Sequence, residues 1–180
     1  MAPVLGSLDL AAALLVLAAG AGKLRAPAPA TAMLRRALPG RLRFAARPGA
    51  VRVAGLVEFA VAGAVVLSGT RVALALLAAA YLGFLAISIR AVAAGASTSC
   101  GCFGRSDTPV GTAHLVLNGL ALAVVLAGVA RPPGAWGGLL HHAALPGAIG
   151  LAQAALLAAL GYLAITAAPA LAAERRRSLP

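Results

Sequence analysis

Long apolar runs alternate with short polar breaks along this chain, and the runs are of membrane-crossing length. Residues 5–24 form the first, from Leu5 to Leu24. Residues 53–69, 72–94, 111–130 and 144–168 form four more, each rich in Ala, Leu, Val and Gly and almost free of charge. A helix needs about 20 such residues to cross a ~30 Å hydrocarbon core. The runs show no helical stripe, as befits helices apolar on every side. Their many Ala and Gly residues let helix backbones approach closely in lipid. The pattern therefore predicts an all-α integral membrane bundle, with a four-helix core and a fifth, C-terminal transmembrane helix. Residues 1–134 form the core unit and 135–180 the added helix and basic tail.

The breaks have individual characters. Residues 23–52 carry Lys23, Arg25, Arg35, Arg36, Arg41, Arg43, Arg47 and Arg52, with Pro27, Pro29, Pro39 and Pro48 interrupting the segment. Between the prolines, Thr31–Leu38 is predicted either as a short surface helix, with Met33, Leu34 and Leu38 set against Arg35 and Arg36 and the arginines on anionic headgroups, or as an irregular basic loop. Gly69-Thr70-Arg71 reads as a tight turn. Residues 95–110 form a loop between helices three and four. Arg131-Pro132-Pro133-Gly134 stops the fourth run, and Trp136 in the next loop suits an interfacial anchor. His141 and His142 lie at the opposite membrane face and are given no role. The first run lacks a basic start and carries Asp9, so it reads as a retained helix; Ala26-Pro27-Ala28-Pro29-Ala30, which resembles a cleavage site, keeps a signal peptide as the alternative.

Composition agrees: 62% of the 180 residues are hydrophobic, and the mean hydropathy is +0.97. Fifteen Lys and Arg against four acids give a net charge of +11. On a soluble chain that would point to nucleic acid. Here the basic residues fall between apolar runs and instead act as orientation signals in a lipid bilayer. With the N-terminus outside, thirteen of them face the cytoplasm, and only Arg71 and Arg131 lie outside. The expectation is a multi-pass protein of the cytoplasmic (plasma) membrane, N-out and C-in, with residues 95–110 at the cytoplasmic face. That placement conflicts with a simple role in oxidising exported proteins.

Whichever way the chain sits, the end of helix 1, the start of helix 2, the end of helix 3 and the start of helix 4 share one membrane surface. Lys23, Glu58, Arg90, the 95–110 loop, His114 and Asn118 therefore converge. Counted from Arg52, Glu58 lies six residues in, roughly 9 Å deep at about 1.5 Å per residue. A buried ionisable group of this kind usually has a partner within the protein. Lys23 and Arg90 are its candidates, with His114 and Asn118, four apart on one helix face, as neutral donors. Lys23 and Glu58 either staple two helices together, or Glu58 serves the chemistry by tuning the thiols or by handling protons along with His114; Lys23 can also snorkel to the headgroups.

The chemistry lies in Ser99-Cys100-Gly101-Cys102-Phe103-Gly104, which holds both cysteines of the chain. Two cysteines make no disulfide framework and fall short of a four-ligand zinc site. A thiol reacts as its thiolate, which nearby cations or a helix N-terminus favour; Arg90, Arg105 and the amides opening helix 4 are the sources here. Gly101 allows the turn that a disulfide would need. So short a ring gains little as a structural link and favours a cycling disulfide. Two alternatives stay open: an inert pair, and half of a metal site completed by His114 or a second copy of the chain.

Gly22-Lys23-Leu24, Glu58, Cys100-Gly101-Cys102-Phe103-Gly104, Pro109 and Asn118 together resemble the MauE family, named for methylamine utilisation and grouped with DoxX/DoxD-like membrane proteins. The similarity spans about residues 5–130. It implies a four-helix membrane bundle engaged in thiol redox work. The named member is needed for maturation of methylamine dehydrogenase, whose small subunit is rich in disulfides, beside a thioredoxin-like partner. The resemblance makes Cys100 and Cys102 the redox pair; Glu58, Lys23, Arg90, His114 and Asn118, placed at the same membrane end by the connectivity, are its expected support.

The expected function is thiol–disulfide exchange with a thioredoxin-like protein, as a thiol–disulfide oxidoreductase. No metal, no nucleic acid and no particular oligomeric state are implied. If the pair faces outward, membrane quinone is the candidate electron sink; if inward, reducing equivalents pass outward. The rival readings are a non-catalytic scaffold that docks a partner through the basic first loop, and a small transporter with Glu58 and Asn118 lining its path.

Overall fold

The structure is a computed structural model that describes residues 2–93, 101, 103, 110–130 and 144–167. All its regular elements are helical. They are α1 (Ala2–Arg25), α2 (Pro27–Ala37), a 3-10 turn (Gly40–Ala45), α3 (Pro48–Ser68), α4 (Arg71–Ala93), α5 (Thr112–Ala130) and α6 (Ala144–Thr166). Five helices are long and apolar enough to cross a membrane: Val4–Arg25, Pro48–Ser68, Arg71–Ala93, Thr112–Ala130 and Gly147–Thr166.

Local signals account for the helix ends. Pro27 and Pro48 occupy first-turn positions of α2 and α3, where a missing N–H costs no intrahelical bond. Pro27 and Pro29 thus begin a helix instead of interrupting the segment, a correction to the sequence reading. Its cause is that the first-turn amides of a helix have no intrahelical partner to lose. α3 stops at Gly69, whose φ of 55° is left-handed, a conformation that suits glycine. Thr70 then opens α4, its Oγ1 accepting a hydrogen bond from the Ala73 amide at 3.3 Å, as an N-cap does.

α1 is the central helix. It packs against α3, α5 and α6, while α4 bridges α3 and α5. The main core joins Ala12, Ala13 and Val16 of α1 to Ala62 and Val65 of α3, to Leu74, Leu77 and Tyr81 of α4, and to Val125 of α5. The Tyr81 hydroxyl donates to the Ala12 carbonyl at 2.8 Å. A second core holds Leu10 and Ala11 against Ala154 of α6, and Ser7 donates to Gln153 at 3.4 Å. The fifth spanning helix is therefore packed directly on the central one.

Large apolar side chains point outward around the bundle. Leu67 is 84% exposed and Val72 71%, with Val53, Leu56, Leu82 and Leu120 also exposed. In water such a girdle would be costly; it fits a hydrocarbon surround, where helices satisfy their own backbone groups. The multi-pass membrane reading stands on these features.

The basic connection is more ordered than the sequence suggested. Arg35 and Arg36 are exposed on α2, as expected of a surface helix. Met33, on the side set against the arginines, is buried and packs with Ala91 and Val110 inside the protein. The 3-10 turn presents Leu42 and Phe44 beside Arg41 and Arg43, all exposed. That mixture suits the headgroup level of a bilayer.

One contact sets how closely α1 and α3 pack. A Cβ built on Gly20 would lie 2.7 Å from the Gly55 carbonyl oxygen, and one on Gly55 would lie 2.9 Å from the Gly20 carbonyl oxygen. The two backbones touch, which only glycine allows. Gly55→Leu is expected to destabilise the purified protein by about 1–3 kcal/mol, the usual cost of overpacking. Gly83→Ala, where nothing lies within 4 Å, is expected to leave it unharmed. Thermal melts in detergent micelles compare the two.

Candidate functional site

The glycine contact brings the first pair of site residues together. Lys23 is three residues beyond Gly20, and Glu58 three beyond Gly55, so each lies one turn from the crossing. Lys23 Nζ donates to both carboxylate oxygens of Glu58, at 2.7 and 2.6 Å. Both residues are buried, and the ammonium also lies 4.8 Å from the centre of the Phe84 ring. The pair satisfies itself inside the bundle, as a charge at membrane depth requires. Because α3 starts at Pro48, Glu58 lies ten residues along it, about 15 Å from its start at about 1.5 Å per residue.

Arg90, the other candidate partner of Glu58, is exposed on α4 and is in no ion pair among the described residues. Asn118 does not reach Glu58 either; its Nδ2 donates to Ser88 Oγ at 3.4 Å, tying α5 to α4. His114 is 2% exposed. Its Nδ1 accepts from the Gly111 amide at 3.4 Å, and its Nε2 has no partner among the described residues.

Cys100 and Cys102 lie outside the described residues, as do Arg105 and Pro109. Two of their chain neighbours are described, and both sit against the end of α1 and the start of α2. Gly101 has a φ of 57°, and a Cβ there would run into the backbone of Pro29 and Ala30. Phe103 lies across Gly22, where an added Cβ would collide with the Phe103 backbone. The Phe103 ring meets Tyr162 of α6 edge to face, 4.9 Å between centres. The Cys-Gly-Cys-Phe string is thus anchored on both sides of Cys102, one residue from Lys23.

A cavity of about 290 Å³ extends from this point between the helices. Phe103, His114, Asn118, Tyr81 and Phe84 line one part, and apolar residues of α1, α5 and α6 line the rest. Lys23, Glu58, Phe84, Phe103, His114 and Asn118 therefore share one end of the bundle, the convergence that the topology required.

Phe103, Tyr162 and the contribution of α6 were not legible as site features. Phe103 belongs to the quoted string, and its aromatic character beside two cysteines was the available signal. α6 carried none, because apart from Gln153, Tyr162 and Thr166 it is a run of small and apolar residues.

No curated protein and no solved structure matches the chain. A family model does: the one described as methylamine utilisation protein MauE matches residues 1–131, the segment from α1 through the end of α5. With its buried Lys–Glu staple, its anchored Gly101 and Phe103 and its apolar helices, the chain belongs to the MauE family.

Proposed function

We propose that the chain is a membrane thiol–disulfide redox protein that exchanges disulfides with a thioredoxin-like partner through Cys100 and Cys102. The observation that carries this reading is the anchoring of Gly101 and Phe103. Gly101 lies so close to the Pro29–Ala30 backbone, and the Phe103 backbone so close to Gly22, that neither glycine has room for a Cβ. A loop with no task would have little reason for such contacts, whereas a reactive dithiol needs a fixed frame.

In the exchange, one thiolate attacks the partner disulfide and expels a partner thiolate, forming a mixed disulfide. The second cysteine then attacks its neighbour's sulfur and releases the partner's other thiolate. The bundle ends as a disulfide and the partner as a dithiol; the reverse sequence reduces the bundle. The start of α2, against which Gly101 packs, offers the positive end of a helix dipole, which favours thiolate. Lys23 and Glu58 staple α1 to α3 beneath the loop as an ion pair of no net charge, and His114 is the side chain that passes protons. The charge distribution supports an N-out chain with this loop at the cytoplasmic face.

Trapping tests the reading. One of the single variants Cys100→Ser and Cys102→Ser lacks the resolving thiol. It is expected to accumulate a mixed disulfide with a thioredoxin-like protein, visible on a non-reducing gel, while the double variant gives none. If neither single variant traps a partner and the double variant keeps full activity in cells, the scaffold reading replaces this one. The exposed arginines of α2 and the 3-10 turn would then be its docking surface.

A further inference from the structure

The cavity between α1, α5 and α6 has one chemical feature that its apolar walls leave unanswered. His114 Nδ1 accepts the Gly111 amide, so in the neutral ring the proton sits on Nε2. That N–H is buried and has no acceptor among the described residues. Buried donors are nearly always partnered. Two other donors on the wall are directed elsewhere: the Tyr81 hydroxyl donates to the Ala12 carbonyl, and Asn118 Nδ2 to Ser88 Oγ, while the Asn118 carbonyl oxygen has no hydrogen bond to His114. A bridging water would want about three polar partners, and apart from Tyr81 and Asn118 the wall around His114 is apolar.

Shape and access add to this. An apolar cavity of about 150 Å³ takes up benzene; this one, at about 290 Å³, has room for a substituted ring. It lies in the gap between α5 and α6, which both pack on α1 and touch one another little. A molecule dissolved in the bilayer can enter sideways through that gap. Phe84 and Phe103 line the inner part, and Phe103 follows Cys102 in the chain.

We propose that this cavity binds the headgroup of a lipid-soluble quinone, with one ring carbonyl accepting the His114 Nε2 proton and the prenyl tail leaving between α5 and α6. A quinone joins the required properties in one molecule: a flat apolar ring, a neutral carbonyl acceptor and residence in the hydrocarbon phase. Its redox role rests on the thiol–disulfide reading above. Two S–H bonds break and one S–S bond forms, releasing two electrons and two protons. The quinone takes both and forms two O–H bonds, so dithiol plus quinone gives disulfide plus quinol. The relative reduction potentials of the two couples set the direction in which the exchange runs.

The test uses the whole chain in lipid nanodiscs and an azidoquinone photolabel, with decylubiquinone as competitor. Label on the cavity stretches 117–124 and 157–165, displaced by the competitor, is the expected result. His114→Phe is expected to weaken decylubiquinone binding about tenfold, the order expected for one lost hydrogen bond. His114→Gln, which keeps a donor, restores most of it. Label spread over lipid-facing positions such as Leu67 and Val72, or undisplaced by competitor, overturns the site; so does unchanged affinity in a folded His114→Phe. Cys100→Ser/Cys102→Ser separates the two proposals, because it is expected to bind quinone as the unmodified protein does. Quinone binding by a chain whose thiols never cycle would sink the redox reading and leave the site standing.

Discussion

Glu58→Leu, with Lys23 left in place, is expected to cost about 3–5 kcal/mol of stability, the penalty for stranding one member of a buried ion pair. The reason lies in the geometry. Both carboxylate oxygens accept from Lys23 Nζ, at 2.6 and 2.7 Å, and no other cation among the described residues pairs with Glu58. Without Glu58 the ammonium is left inside the bundle with only the Phe84 ring against it. A cation–π contact of about 0.5–2 kcal/mol does not offset that loss. Lys23→Met has the mirror effect. The double variant Lys23→Met/Glu58→Leu is expected to recover most of the stability, since removing both charges leaves no polar group in want of a partner. Thermal melts of the four proteins in one detergent measure the coupling as a double-mutant cycle. Additive losses would mean that the pair is solvated and that the staple is not what joins α1 to α3.

The second large effect is expected at Gly101, and it is on activity rather than stability. Gly101→Ala places a Cβ on a residue whose φ is 57°, where an L side chain costs about 1–2 kcal/mol. The same Cβ collides with the Pro29 and Ala30 backbone, which has no flexible end to move aside. The loop must lift from α2 and carry its cysteines with it. The five spanning helices do not depend on this contact, so the bundle should melt within a few degrees of the unmodified protein while thiol–disulfide exchange falls by at least about tenfold. Exchange is read as the rate at which the purified protein oxidises or is oxidised by a thioredoxin-like protein. A Gly101→Ala chain that exchanges disulfides at full rate would show that the anchoring has no bearing on the chemistry.

The parts of this structure that were legible in the sequence are those that depend on length and charge. Each of the five runs is long enough to cross a bilayer, and the helices begin and end within a few residues of the runs. The shared location of Lys23, Glu58, His114 and Asn118 followed from connectivity alone, because consecutive antiparallel helices must bring alternate ends together. The choice of Lys23 over Arg90 did not follow. It depends on the Gly20–Gly55 contact, and nothing in a string of small residues says which two glycines meet. The cavity was hidden for a related reason. Helices that are apolar all round carry no stripe to show which face turns inward, so the places of Leu157 and Gly161 on its wall, and of Tyr162 against Phe103, could not be assigned. Pro27 and Pro29 misled in another way. A proline reads as a breaker until the helix start is known, and Ala26, which precedes α2, offers no capping side chain to mark it.

The central claim is that Cys100 and Cys102 form a dithiol that cycles. The most direct measurement is their redox state in intact cells, trapped with acid and then labelled with a membrane-impermeant thiol reagent before and after lysis. The account predicts a pair that shifts between dithiol and disulfide as growth conditions change, with thiols that the reagent reaches only after lysis. A pair that stays reduced and unreactive under every condition would contradict it.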